Sequence, residues 1–355
     1  MLLIEASAVH AALDIELLMD ALEEAHRGPM PDHAWQVLEQ PAAAGRQAFL
    51  SLPAWLPEDG LGVKLVSSFP NNREQHGLPT VHSLYVWFDP RTGVPVALMD
   101  GEALIFRKTA ADSALGSRFL SRPDSRTLLM VGAGALAPHL VRAHLVARPG
   151  LRHVGVWNRT LVSAEALVAD LVATGVDAFV VDQLDDALGS ADIVSAATMS
   201  SDPIIKGALL RPGTHVDLVG SFTPQMREAD DALLHRSEVF VDSYGATEHS
   251  GDFVDPCARG VFSLEDIAGD LTALATGSAG RSSPAAITMM KNGGGSHLDY
   301  FTAREVLRAV ESGRVASGIS RISLAAPGPA GTTGSTDGAA HRAVSHGHEP
   351  TEGTR

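Results

Sequence analysis

Gly132, Gly134 and Ala137 follow at fixed spacing on the apolar run Thr127–Val131. Gly-x-Gly-x-x-Ala after such a run suits recognition of a dinucleotide pyrophosphate. The first glycine allows a tight turn, the second lets the backbone approach the anion, and the third small residue lets a helix pack close to its strand. Unpaired N–H groups at the start of that helix face the phosphates, so Gly132, Ala133, Gly134, Ala135 and Leu136 are the expected pyrophosphate contacts. Pro138 falls in the first helical turn, where a missing N–H costs nothing.

The next strand, HVGVW at positions 153–157, ends in Asn158, Arg159 and Thr160. An acid there would accept both ribose hydroxyls and repel a 2′-phosphate. The chain instead offers a guanidinium and two small polar groups that can hydrogen-bond one. This favours NADPH, with NADH as the alternative cofactor. Ends of later parallel strands should face the nicotinamide, which places Ala197, Thr198, Met199, Val219 and Gly220 at the cofactor.

Lys64 sits in the apolar run GVKLV. A buried ammonium there must meet a carboxylate or take a lowered pKa suited to proton transfer. A lysine that snorkels from a sheet edge fits the same residues, and the run alone leaves both readings open. His82 fits a proton relay less well than a hydrogen-bonded core or interface histidine. Asp230 and Asp231 read as helix-start acids.

These residues need a scaffold. DIELLMDALEEAHRG reads as a helix, and QAFLSLPAW, LGVKLVSSF, VHSLYVWFD and PVALMD read as strands, which makes residues 1–115 an α+β layer. TAADSALGSRFLSRPDS is a helical connector. From there strands and helices alternate through AFVV, DIVSAAT, THVDLVG and EVFVDS, predicting an α/β fold with a Rossmann-type, doubly wound parallel sheet over 116–285. Residues 286–324 are expected to return to the first layer through the helix HLDYFTAREVLRAVESG. Residues 325–355 have almost no large apolar side chains and are expected to be disordered, with His341, His346 and His348 on a solvated tail.

The chain has 355 residues, 45% hydrophobic and 19% charged, enough for a real core. A formal charge of −15 argues against a nucleic-acid partner, which needs a basic footprint. One cysteine, Cys257, excludes an intramolecular disulfide and a cysteine-rich zinc site, and no metal is expected. The opening MLLIEASAVHAALD has no basic leader, and no apolar run is long enough for a membrane helix, so no membrane partner and a cytoplasmic protein are expected.

Several further motifs carry a resemblance. GVKLVSSFPNN, GLPTVHSLYV, PVALMDGEALIFRKTAADSALGSRFL and VGSFTPQMREADDALL occur in an order and spacing similar to those of the ornithine cyclodeaminase/μ-crystallin family, over nearly all of residues 1–315. The look is nearest to its bacterial Δ1-pyrroline-2-carboxylate and Δ1-piperideine-2-carboxylate reductases. The resemblance implies a homodimer joined through its substrate domains, with Lys64 in the substrate pocket. Where the wider family has an arginine before Thr-Ala-Ala to hold the substrate carboxylate, this chain has Lys108, which lacks the bidentate fork. Arg107 is its neighbour, and Arg46 or His33 stands in for a second family arginine. Lys291 and Asn292 are similar to the family segment that closes over the cofactor. Phe222 occupies the place of a cyclodeaminase aspartate, and an aromatic ring accepts no proton.

The resemblance thus implies reduction of a small cyclic imino acid to L-proline or L-pipecolate, with hydride from NADPH, Lys64 for orientation and proton supply, and Lys108 for the carboxylate. A cyclodeaminase, an alanine-type amino-acid dehydrogenase and a non-catalytic NADPH-binding protein are the alternatives.

Overall fold

The computed structural model describes residues 1–41 and 46–323, so the tail histidines lie outside the described residues. Its strands form two sheets of eight. In the first, the antiparallel run Arg46–Leu56, Gly60–Ser68, Val81–Phe88 and Pro95–Asp100 is extended at one edge by Leu2–Ile4, parallel to Pro95–Asp100, and then by Ile319–Arg321. The short strands Asp32–His33 and Gln36–Pro41 pair with Arg46–Leu56 at the other edge. Segments from both ends of the sequence therefore close one sheet.

Side chains alternate across these strands, and directly opposed residues share a face. The cross-strand pairs Leu52↔Lys64, Lys64↔Tyr85 and Tyr85↔Met99 put these four on one face. All four are buried beneath the helices Gly101–Leu120 and Ser296–Glu311, on which Ile15–Arg27 packs in turn. The opposite face carries Leu38, Phe49, Trp55 and Leu84, all exposed.

Side-chain caps set two of these helices. Asp14 accepts from the Glu16 and Leu17 amides, and Asp100 accepts from the Ala103 amide at 2.8 Å. The Asp100 cap starts its helix at Gly101, eight residues before the expected connector, so Lys108 and Ala111 stand in mid-helix.

The second sheet is parallel throughout, in the order Ala178–Val180, His153–Trp157, Thr127–Val131, Ile193–Ala196, His215–Leu218, Ile287–Lys291, Ser237–Val241 and Ile267–Asp270. Strand Ile287–Lys291 inserts between two earlier strands of this sheet, which corrects the expected boundary at 286. The chain returns to the first layer with the helix Ser296–Glu311, after the glycines 293–295. Four consecutive apolar or small residues, ITMM, suit a central strand covered on both sides. Among the described residues, no helix is long and apolar enough to cross a membrane.

Candidate active site

Strand order in the second sheet reverses beside Thr127–Val131. Its neighbours in sequence continue on one side through His153–Trp157 and on the other through Ile193–Ala196. Loops leaving the carboxyl ends of such strands diverge and leave a crevice. Here it is a cavity of about 620 Å³, lined by residues 132–136, Trp157, Asn158, Arg159, Ala197, Thr198, Met199, Ser200, Val219, Gly220 and Phe222. Its far wall comes from Ile105, Lys108 and Thr109 of the helix Gly101–Leu120, and from Asn292, Gly293 and Gly294.

The turn is built for a close approach. Gly132 has φ of 105°, and a β-carbon there would lie 2.6 Å from the Ala197 carbonyl oxygen. Around Gly134 nothing stands within 4 Å of the β-carbon position, which leaves the space that a pyrophosphate needs. Asn158 braces the turn by accepting from the Ala133 amide at 3.2 Å and donating to the Thr160 carbonyl at 2.9 Å. Arg159 projects exposed at the cavity rim. Thr160 does not line the cavity; it occupies the residue before the helix Leu161–Ala173, which corrects its expected place at the ribose.

Two buried lysines stand at the junction with the first layer. Lys108 lines the cavity and has no carboxylate within ion-pair distance among the described residues. A β-carbon on Gly294 would lie 2.6 Å from its Nζ, so only glycine leaves the ammonium this room. Lys64 lies outside the cavity lining and forms an ion pair with the buried Asp299 at 2.5 Å. Burial pushes the Lys64 ammonium below its ordinary pKa; Asp299 opposes that shift and Lys108 adds to it.

Four other expected contacts fall elsewhere. Successive residues on a helix point about 100° apart, so Arg107 turns away from the cavity and donates to His10 Nδ1 at 3.1 Å and to the His10 carbonyl at 3.3 Å. His82 pairs with Ser67 and therefore lies on the sheet face opposite Lys64, exposed. Arg46 is on an exposed hairpin, in an ion pair with Glu39 at 2.7 Å. Lys291 is fully buried behind the cavity wall with Asp252 at 3.1 Å. His33 stays nearer the junction, its ring 5.6 Å from that of buried His297, and its Nδ1 donates to the Pro31 carbonyl at 3.2 Å.

Glu228 and Asp299 were not singled out from the sequence. Buried Glu228 accepts from the Thr198 amide at 2.7 Å, the Thr198 hydroxyl at 2.9 Å and the Gly220 amide at 2.6 Å. It ties together two strand-end loops of the cavity, at a point where a β-carbon on Gly220 would collide with the Thr198 backbone. Burial raises its carboxyl to about 7 against the pull of Lys291 and the two amides. A carboxyl whose folded pKa is raised contributes stability that is lost as pH rises from about 4.5 to about 7. Glu228→Gln turns an amide donor against a backbone donor and does not titrate. The dissociation constant for the nucleotide should rise about tenfold, from one charged hydrogen bond lost. The melting-temperature deficit of the variant should be greatest at acid pH and narrow toward pH 7, as read by calorimetry.

A glycine turn at a switch point, a helix N-terminus behind it and buried cations across the cleft define a dinucleotide-binding α/β protein with an adjoining ligand pocket. The chain belongs to the ornithine cyclodeaminase/mu-crystallin family, whose model matches residues 2–314. It is 42% identical over 294 residues to the Δ1-pyrroline-2-carboxylate reductase of Paracoccus denitrificans, covering 82% of this chain and 92% of that one. The Δ1-pyrroline-2-carboxylate reductase of Thermococcus litoralis, solved with NADH and L-proline, matches with a TM-score of 0.79 and 28% identity over 88% of this chain and 98% of its own. An archaeal alanine dehydrogenase dimer with bound NAD gives a TM-score of 0.81 and 25% identity, over 89% and 98% of the two chains.

Proposed function

We propose that this protein is an NAD(P)H-dependent reductase of small cyclic imines that bear a 2-carboxylate, forming L-proline or L-pipecolate. The observation that carries this reading is the buried Lys108 ammonium on the wall of the dinucleotide cleft, with no ion-pair partner among the described residues. A buried cation that no carboxylate contacts directly keeps a place for an anion that a ligand can supply. The substrate carboxylate is that anion. The names of the Paracoccus and Thermococcus relatives support the same substrate class.

The turn 132–136 and the open space at Gly134 fit a pyrophosphate, and Asn158 and Arg159 fit the adenosine ribose. NADPH is the preferred form, because Arg159 offers a guanidinium to a 2′-phosphate and no acid stands beside it on the strand end. When bound, the reduced nicotinamide supplies a hydride to the imine carbon. The protein holds the substrate for that transfer: Lys108 takes its carboxylate, and Lys64, held by Asp299 at the junction of the layers, is the group assigned to orient the ring nitrogen and supply its proton. Phe222 lines the cavity in the position where a cyclodeaminase needs a base, and its ring covers the substrate instead. Reduction of an already closed imine requires no such base.

Purified protein should oxidise NADPH with Δ1-pyrroline-2-carboxylate or Δ1-piperideine-2-carboxylate without added ammonia, and faster than NADH at equal concentration. Turnover of pyruvate only with ammonia, or release of ammonia from L-ornithine, would overturn the assignment.

The assembly is a homodimer formed through the open face of the first sheet, where Leu38, Phe49, Trp55 and Leu84 are exposed together. An apolar face of this kind is characteristic of a subunit contact. A Trp55→Asp/Leu84→Asp variant is expected to elute as a monomer in size-exclusion chromatography with light scattering, with nucleotide binding retained. We place the protein in the cytoplasm, where reduced nicotinamide is available.

A further inference from the structure

Asp112 lies one helical turn beyond Lys108 and is fully buried, and neither of its carboxylate oxygens has a hydrogen-bond donor among the described residues. Its neighbour Asp242, at the end of the strand Ser237–Val241, is saturated differently. One oxygen accepts from the Ser243 amide at 2.6 Å and the other from the Gly294 amide on the cavity wall. Gly294 stands against the Lys108 Nζ, and Asn292 donates to the Thr109 carbonyl and the Ser113 hydroxyl, so both carboxyls lie at the same junction and Asp242 disfavours ionisation of Asp112. A carboxylate that already accepts two amides is the ionised member of such a pair. An acid with no donors is the protonated one, and its own O–H fills the missing bond. The pair then carries a single negative charge beside Lys108.

We propose that Asp112 is a positioning residue held as a neutral carboxylic acid, so that Lys108 stays available to the substrate carboxylate. Loss of the Asp112 proton would capture Lys108 in an internal ion pair and close the anion site. This rests on Lys108 as the carboxylate anchor. Charged groups from every packed element bear on the arrangement. Asp217, on the strand His215–Leu218, disfavours ionisation of Asp112 and Lys108 favours it; Lys108 and Lys291 act on Asp242, and Lys108 disfavours the charged forms of Lys64 and His297. Burial and Asp242 hold the Asp112 carboxyl well above the usual carboxylate range.

Two measurements test this, one without substrate. Infrared spectra of the protein alone at neutral pH should contain a protonated-carboxyl band that Asp112→Asn removes. Cyclopentanecarboxylate, a ring carboxylate with no nitrogen to titrate, serves as competitive inhibitor across alkaline pH. Its inhibition constant should rise up to about tenfold per pH unit in the wild-type protein once Asp112 ionises. In Asp112→Asn the onset of that rise should move to higher pH or vanish, with NADPH affinity unchanged. A wild-type spectrum without the band, or an identical alkaline rise in both proteins, overturns the proposal. If Asp112→Asn does not fold, Asp112→Ser and carbon-13 labelling of wild-type aspartate carboxyls give the same decision. A band present in a protein that reduces no imine would leave Asp112 protonated and remove the reductase reading instead.

Discussion

Lys108→Met is expected to lower kcat/KM for the cyclic imine carboxylate about 10²- to 10³-fold, with the dissociation constant for NADPH changed less than about twofold. The magnitude follows from removing one partner of a desolvated charge pair, which costs roughly 2–5 kcal/mol, and from the tenfold rate change that each ~1.4 kcal/mol represents. Methionine keeps the length and most of the volume of lysine, so the cavity wall keeps its shape. The folded protein bears the cost of burying this ammonium without a direct counterion among the described residues. The melting temperature of the variant should therefore hold or rise while activity falls. A drop in both would assign Lys108 to the core. The loss should appear mainly in KM, since an anchor that holds the carboxylate equally in the ground state and throughout the reaction contributes uniform binding.

Local pattern made the second sheet legible. The strands Thr127–Val131 and His153–Trp157 occupy the same residues that alternation and the glycine turn indicate, because both are continuous apolar runs bounded by turn residues. The cavity-lining loops 197–199 and 219–220 were legible for the same reason: strand ends in a parallel sheet point to one side. Ile287–Lys291 was harder to place, because its position between two earlier strands is a long-range pairing that no local signal carries. The edge strands Leu2–Ile4 and Ile319–Arg321 are three residues each, too short for alternation to register.

Within the site, the residues that face the ligand space were more legible than those that support them. Lys108 stands out by its place before Thr-Ala-Ala, whereas Arg107 beside it shares every compositional feature and differs only in helical phase. That phase becomes readable once Asp100 is recognised as the cap that starts the helix. His82 depended on strand register; its pairing with Ser67 puts it across the sheet from Lys64. Glu228, Asp112, Asp242 and Asp299 come from four separate segments, and each meets its partners only in the fold. A buried carboxyl gives no sequence signal beyond an acid in an apolar stretch; Asp242 in VFVDS and Asp299 in HLDYF carry that trace, and Glu228 in MREAD does not.

Asp299 also decides the largest stability effect expected here. Lys64→Met should abolish measurable turnover and, unlike Lys108→Met, should lower the melting temperature sharply. It strands a buried carboxylate whose second oxygen, Oδ1, has no donor among the described residues. Breaking a buried ion pair from one side costs about 3–5 kcal/mol, because the remaining charge has neither water nor partner. Adding Asp299→Asn removes the stranded charge, so the double variant should recover most of the lost stability, as measured by urea unfolding. Turnover should not return, since Lys64 is the group proposed to orient the ring nitrogen and supply its proton. The two lysines thus separate by a double-variant cycle: one is a cation whose removal costs function alone, the other belongs to a pair that serves fold and chemistry together. Recovery of turnover in the double variant would reduce Lys64 to a counterion for Asp299 and leave the proton to be supplied from elsewhere in the site.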